Sequence, residues 1–144
     1  MERIETKSVS VEVERDAGLL IQRLDTLCPE SGGCVLELVL ALEDVPPETR
    51  TAVALTVTEL DQQDREYPRG LRTLLVHGHH ESLPVHLAVP PVRFVLPAEL
   101  DLSGGGKRRF LVRVDANYVD CHARCRLQPQ GSRRKCSCVR PYPG

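Results

Sequence analysis

At 144 residues the chain is one domain's worth of polymer, long enough to bury a real core. Only 3% of it is aromatic and there is no Trp, so the core must be built from Val, Leu, Ile and Ala; eleven Pro and ten Gly favour many short elements joined by turns. The formal net charge of −1 hides a division, because residues 1–120 hold 13 Lys and Arg against all 20 Asp and Glu, a balance of −7, and residues 121–144 hold six basic residues and no acidic one. No apolar stretch nears the roughly 20 residues that cross a bilayer. The start, Met1-Glu2-Arg3-Ile4-Glu5, is charged and lacks an apolar run, so no secretory signal is expected. These features predict a soluble chain made in the cytoplasm; release on cell lysis would leave the redox compartment open.

Residues 8–14 alternate strictly, with Val9, Val11 and Val13 on one face, which predicts a half-buried strand ended by Asp16-Ala17-Gly18. Residues 19–27 fit a short helix or a strand equally well. Cys28-Pro29-Glu30-Ser31-Gly32-Gly33-Cys34 reads as a loop. Val35 to Leu42 is a strong strand with Leu36, Leu38, Leu40 and Leu42 on one face, and Val45-Pro46-Pro47-Glu48 turns the chain. Thr51 to Glu59 follows with Val53, Leu55 and Val57 inward, and this strand and the one before it are expected to pair as antiparallel neighbours. Asp61 to Asp64 and Tyr67-Pro68-Arg69-Gly70 supply polar turns. Leu71 to His77 is a further strand, and His77-Gly78-His79-His80-Glu81 is a loop. Pro84 to Val89 and Val92 to Leu96 are short strands separated by Pro90-Pro91. Pro97 to Leu100 has the composition of a single helical turn. Phe110 to Val119 is the best strand, with Phe110, Val112, Val114, Ala116 and Tyr118 inward and Arg113, Asp115 and Asn117 outward.

Seven or eight strands with turn signals between them predict an all-β domain over residues 1–120, a two-layer antiparallel β-sandwich of immunoglobulin-like or jelly-roll form. Residues 121–144 have no periodicity and form an irregular, basic, cysteine-rich tail.

Four of the six cysteines lie in that tail, as Cys121-x3-Cys125 and Cys136-x-Cys138. Their even number suits disulfides, within or between chains. Four thiolates, with His122 as a spare ligand, also make a candidate structural zinc site, although Cys-x-Cys is tighter than the usual ligand spacing. The flanking Arg and Lys residues favour the thiolate. Cys28 and Cys34 flank a loop in which Gly32 and Gly33 permit a local disulfide; the alternative is two small buried apolar residues at strand ends.

His77, His79 and His80, with His86 nearby, form a second cluster. A strand would place His77 and His79 on one face as a metal pair, whereas Gly78 and Glu81-Ser82 point to an exposed polar loop. Ser103-Gly104-Gly105-Gly106-Lys107 lacks the spaced glycines, the hydroxyl residue and the following helix of a phosphate loop, and is read as a hairpin turn. No nucleophile motif occurs, and the acidic residues fall on strand exteriors, where solvation is the default role. The basic tail has Tyr142 as its one aromatic residue, which disfavours single-strand stacking, and the acidic body would repel nucleic acid.

Thr58-Glu59-Leu60-Asp61, Glu66-Tyr67-Pro68-Arg69-Gly70, Val92-Arg93-Phe94-Val95-Leu96-Pro97 and Ala116-Asn117-Tyr118-Val119-Asp120 resemble segments of a group of small cysteine-bearing proteins of clostridial-type bacteria. The likeness covers residues 58–120, with an echo in Cys28-Pro29. It implies a cysteine-rich tail and a spore or surface-layer setting, and no particular activity. The composite expectation is a non-enzymatic structural or interaction module without a resident cofactor. It associates with itself or with another protein, and a zinc-binding β domain is the alternative.

Overall fold

The computed structural model of the chain describes residues 2–6, 9–28, 33–98 and 106–120. Among them are nine strands and no helix: β1 (Glu2–Glu5), β2 (Val9–Arg15), β3 (Leu19–Leu27), β4 (Cys34–Val45), β5 (Thr51–Leu60), β6 (Glu66–Val76), β7 (Val85–Ala88), β8 (Val92–Leu96) and β9 (Arg108–Tyr118). They form two sheets, one in the order β1-β2-β9-β5-β6 and one of β3-β4-β7 with β8 also on β4. The layers close over a shared apolar interior, and the chain is a β-sandwich.

Period-two alternation builds this interior. Val9, Val11 and Val13 of β2, Val53, Leu55 and Val57 of β5, and Phe110, Val112, Val114, Ala116 and Tyr118 of β9 are all buried from the larger sheet. Leu36, Leu38, Leu40 and Leu42 of β4 meet them from the smaller one, joined by Phe94 and Leu96 of β8. Each row is the one that the alternation of the sequence assigns to the inside.

Several connections differ from the sequence expectation. Residues 19–27 are strand β3, whose polar residues face water at a sheet edge and whose alternation is blurred by a bulge between Ile21 and Arg23. The charged first residues are themselves a strand, β1, which pairs antiparallel with β2. The smaller layer is wholly antiparallel, whereas the larger one has a single parallel pair, β2 with β9, running from Val9↔Arg108 to Arg15↔Val114. A parallel pair needs a long connection, and residues 16–107 lie between these two strands. β4 and β5 do not pair with each other. The Pro46-Pro47 step offers no backbone donors, Glu48 takes a left-handed φ of 54°, and the chain passes from one layer to the other.

Residues 66–70 belong to β6 rather than to a turn. β6 is an edge strand, where Pro68 is tolerated because its missing N–H need not reach a neighbour. β7 and β8 both follow β4, as Ala41↔Ala88 and Leu38↔Val92, so Pro90-Pro91 interrupts one long antiparallel partner; the Val89 N–H still donates to the Leu40 carbonyl at 3.0 Å. Residues 99–105 lie outside the described residues, including most of the proposed helical turn and of the glycine run. The strands on either side, β8 and β9, stand in different sheets, so this connection crosses between layers and is not a hairpin.

Gly70 shows how closely the layers approach. A Cβ there would lie 2.8 Å from Cδ1 of the buried Phe94 ring. The substitution Gly70→Ala should therefore lower unfolding free energy by about 1–3 kcal/mol, the usual range for overpacking a filled core. Adding Phe94→Leu should return part of that loss, as read by urea denaturation of the single and double variants.

Candidate functional site

The described groups with functional potential gather at the two ends of the sandwich. At one end lie the close of β5, the starts of β6 and β9, and the close of β8 opposite Cys34. The row Thr51, Val53, Leu55, Val57 continues its parity to Glu59, so a carboxylate occupies an inward position and is fully buried. A bulge between Val57 and Thr58 leaves Arg69 as the extra residue of β6 and turns it inward. Arg69 Nε donates to Glu59 Oε1 at 2.9 Å, while Arg108 donates from Nε to Oε2 at 3.0 Å and from Nη2 to Oε1 at 2.9 Å. Arg108 Nη2 also donates to the Pro97 carbonyl at 2.8 Å, and its guanidinium lies over the Phe110 ring, 4.9 Å from the centroid. One carboxylate thus ties β5, β6, β9 and the exit of β8 together. Burial pushes the Glu59 carboxyl up, but the hydrogen bonds from Arg108 and Arg69 outweigh it and hold the group below its ordinary value.

Two residues on, Asp61 organises the β5–β6 turn. Its Oδ1 accepts from the N–H groups of Gln63 at 2.8 Å and Arg65 at 2.9 Å, and its Oδ2 from Arg65 Nε at 2.7 Å and Tyr67 Oη at 3.0 Å. Its partial burial opposes ionisation, but those backbone donors, the Tyr67 hydroxyl and Arg65 prevail and bring its pKa down to about 2. Glu59 and Asp61 correct the expectation that the acidic residues merely line strand exteriors. The parity of β5 carried the signal for Glu59, since it follows Val57 at the same spacing. Both carboxylates are ionised and saturated with donors, so neither is built to take a proton from a substrate. The motifs Thr58-Glu59-Leu60-Asp61 and Glu66-Tyr67-Pro68-Arg69-Gly70 supply both carboxylates and two of their donors, Arg69 and Tyr67, while Arg108, Gln63 and Arg65 lie outside them.

Cys28 and Cys34 lie at this same end and are joined in a disulfide, with Cα atoms 4.2 Å apart. Cys34 is buried and Cys28 packs against the core, so the pair is linked and apolar at once.

At the opposite end, Asp120 closes the described chain against Arg50, the residue just before β5. Asp120 Oδ2 accepts from the Arg50 N–H at 2.7 Å, its Oδ1 accepts from Arg50 Nη2 at 2.8 Å, and the Val119 N–H donates to the Arg50 carbonyl at 2.9 Å. The point from which residues 121–144 depart is thereby anchored. Cys121, His122, Cys125, Cys136 and Cys138 themselves lie outside the described residues.

The histidine loop is a structural latch. His79 Nδ1 accepts from the Glu81 N–H at 3.1 Å, which leaves Nε2 protonated to donate to the Val45 carbonyl at 2.7 Å. The His79 carbonyl accepts from the Glu48 N–H at 2.7 Å. Both ring nitrogens face the backbone, so His79 is not presented with His77 as a metal pair. Gly78 allows the approach, since a Cβ there would meet the Glu48 and Thr49 backbone at 2.9 Å. Among the described residues no group of three His, Cys, Asp or Glu stands close enough to hold a metal ion.

Two outcomes test the ionic end. Replacing Glu59 with Ala leaves Arg69 and Arg108 buried without their anion and should cost about 3–5 kcal/mol in urea denaturation. Asp61 has a folded pKa of about 2 against an ordinary carboxylate value near 3.9, so its contribution is complete above the unfolded pKa and lost as pH falls toward 2. The Asp61→Asn variant should therefore be less stable than the parent at pH 7, and the gap should close between about pH 4 and pH 2.

No curated protein and no solved structure matches the chain. The family described as CsxB, exosporium protein B, matches residues 26–125. That span takes in the disulfide loop, every strand from β4 to β9, both ionic clusters, the Asp120 anchor and the first two tail cysteines. It extends the likeness read over residues 58–120 and covers 100 of the 144 residues, and the chain belongs to the exosporium protein B family.

Proposed function

We propose that the chain is a non-enzymatic building block of the spore's exosporium, a β-sandwich that self-associates and is cross-linked through its cysteine tail. Membership of the exosporium protein B family over residues 26–125 carries this reading. The chemistry of the chain supports it in three ways. The two described carboxylate clusters are braces with no free acid or base. The root of the tail is pinned by Asp120 to Arg50, so the thiols start from a defined point on the body. Residues 121–144 carry six positive charges and residues 1–120 a balance of −7, so the tail of one copy is attracted to the body of the next before any bond forms. Neighbouring cations then favour the thiolates that oxidise to interchain disulfides.

Non-reducing electrophoresis and light scattering test the proposal on the full chain. The oxidised protein should run as a ladder that reductant collapses to one band. Serine at Cys121, Cys125, Cys136 and Cys138 together should abolish the ladder, whereas Cys28→Ser with Cys34→Ser should leave it in place. The non-covalent association of the reduced chain should weaken with salt, as screening shortens the reach of tail and body charges. A wild-type chain that is monomeric with and without reductant rejects the reading. One equivalent of zinc in protein purified without added metal, with the four tail thiols reduced, would assign those cysteines to a metal site instead.

A further inference from the structure

The open edge of β6 is complementary to itself. The Val119 N–H donates to the Arg50 carbonyl, so even-numbered backbone groups along β5 turn toward β9 and odd-numbered ones toward β6. Val53↔Leu74, Leu55↔Arg72 and Val57↔Gly70 are then the hydrogen-bonded pairs, and the N–H and C=O groups of Leu71, Thr73 and Leu75 face away from β5. No described strand pairs with them there. An open groove of about 440 Å³, lined by Arg72, Leu74, Pro91, Val92 and Arg93, separates this edge from β8.

The two halves of the edge differ. In the first half Pro68 faces its missing N–H to the open side and the bulge bends the strand, both of which discourage pairing. The second half, Gly70 to Val76, has no Pro and no acidic residue, and its one charge is Arg72. Leu71 and Leu75 lie on the outer face of the sheet beside Thr56 and Ala52, 65% and 45% exposed.

We propose that a second copy of this chain pairs with β6 antiparallel about a two-fold axis at Thr73, joining two five-stranded sheets edge to edge. In that register Leu71 faces the second copy's Leu75, Thr73 faces Thr73, and all three pairs present outward N–H and C=O groups, enough for six hydrogen bonds. Arg72 faces Leu74 rather than another Arg72. Centring on Arg72 would oppose the two cations and separate the leucines. Centring on Leu71 would bring Pro68 into the ladder, and centring on Leu74 would carry Leu71 past the strand end. Charge and apolar pattern therefore select one register. This inference rests on the self-association proposed above, and it adds a surface that does not involve the tail cysteines.

The test uses the full chain with serine at the four tail cysteines. Thr73→Cys should cross-link to a dimer on mild oxidation, because facing Cα atoms of a hydrogen-bonded pair lie about 5.5 Å apart. Leu71→Cys should not, since it and its symmetry mate lie roughly 13 Å apart along the strand. In the same background Leu71→Lys, on an exposed site that should leave the fold and its circular dichroism intact, should raise the dissociation constant measured by sedimentation about tenfold. Thr73→Cys that stays monomeric while the wild type assembles overturns the edge pairing and leaves the exosporium reading standing. Equal cross-linking at positions 71 and 73 also overturns it, as random collision. Monomers in every variant and in the wild type overturn both.

Discussion

The sandwich depends on β9 being paired along both of its edges. It lies between β2 and β5, parallel to one and antiparallel to the other, and its inward side chains from Phe110 to Tyr118 fill the interior. Without it the larger sheet divides into the β1–β2 pair and the β5–β6 pair, and isolated two-stranded ribbons are marginal in water. The last of the described strands thus joins elements from the start and the middle of the sequence, a topology rich in long-range contacts and expected to fold slowly.

The ends of β9 are where the charges are spent. Arg108 enters beside Glu59, and Asp120 leaves beside Arg50. These ion pairs have different physical standing. The buried pair has its desolvation offset by donors from two arginines, so the loss of one partner is far more costly than the gain from the pair itself suggests. The Arg50–Asp120 pair is partly exposed, and its value lies in geometry, because it fixes where the tail begins. Similar exposed pairs lace the outer faces, as Arg93 and Arg23 on Glu37 and Arg113 on Glu66. They keep those carboxyls below their ordinary range and add little stability each.

A β-sandwich braced at both ends suits the structural role that membership of the exosporium protein B family suggests. The Cys28–Cys34 disulfide and the Arg50–Asp120 pair lie at opposite ends of the sandwich, and the β6 edge lies along its side. The proposed tail cross-link and the proposed edge pairing would therefore act in different directions, as a sheet-like layer requires. Nothing about the two carboxylate clusters calls for turnover; their donors are directed at keeping strands together.

The inward rows were legible in the sequence because a pleated strand with one dry face must alternate. Val9 to Val13, Leu36 to Leu42, Val53 to Val57 and Phe110 to Tyr118 are all read that way, and the same rule carried one step further reaches Glu59. The charge division between body and tail is also a property of sequence alone. The partners of each strand were not legible, since alternation says which face is buried and nothing about which strand lies alongside. β4 and β5 are adjacent in sequence and stand in opposite layers, while β2 and β9 are at opposite ends of the domain and pair. The meeting of Arg69 with Glu59 needs a bulge that no local pattern announces, and the His79 latch needs the Val45 carbonyl brought from another strand. Alternation specifies which side chains avoid water; which of them meet follows only from the folded whole, because pairing is settled by competition among all strands for hydrogen-bond partners and for a single shared interior.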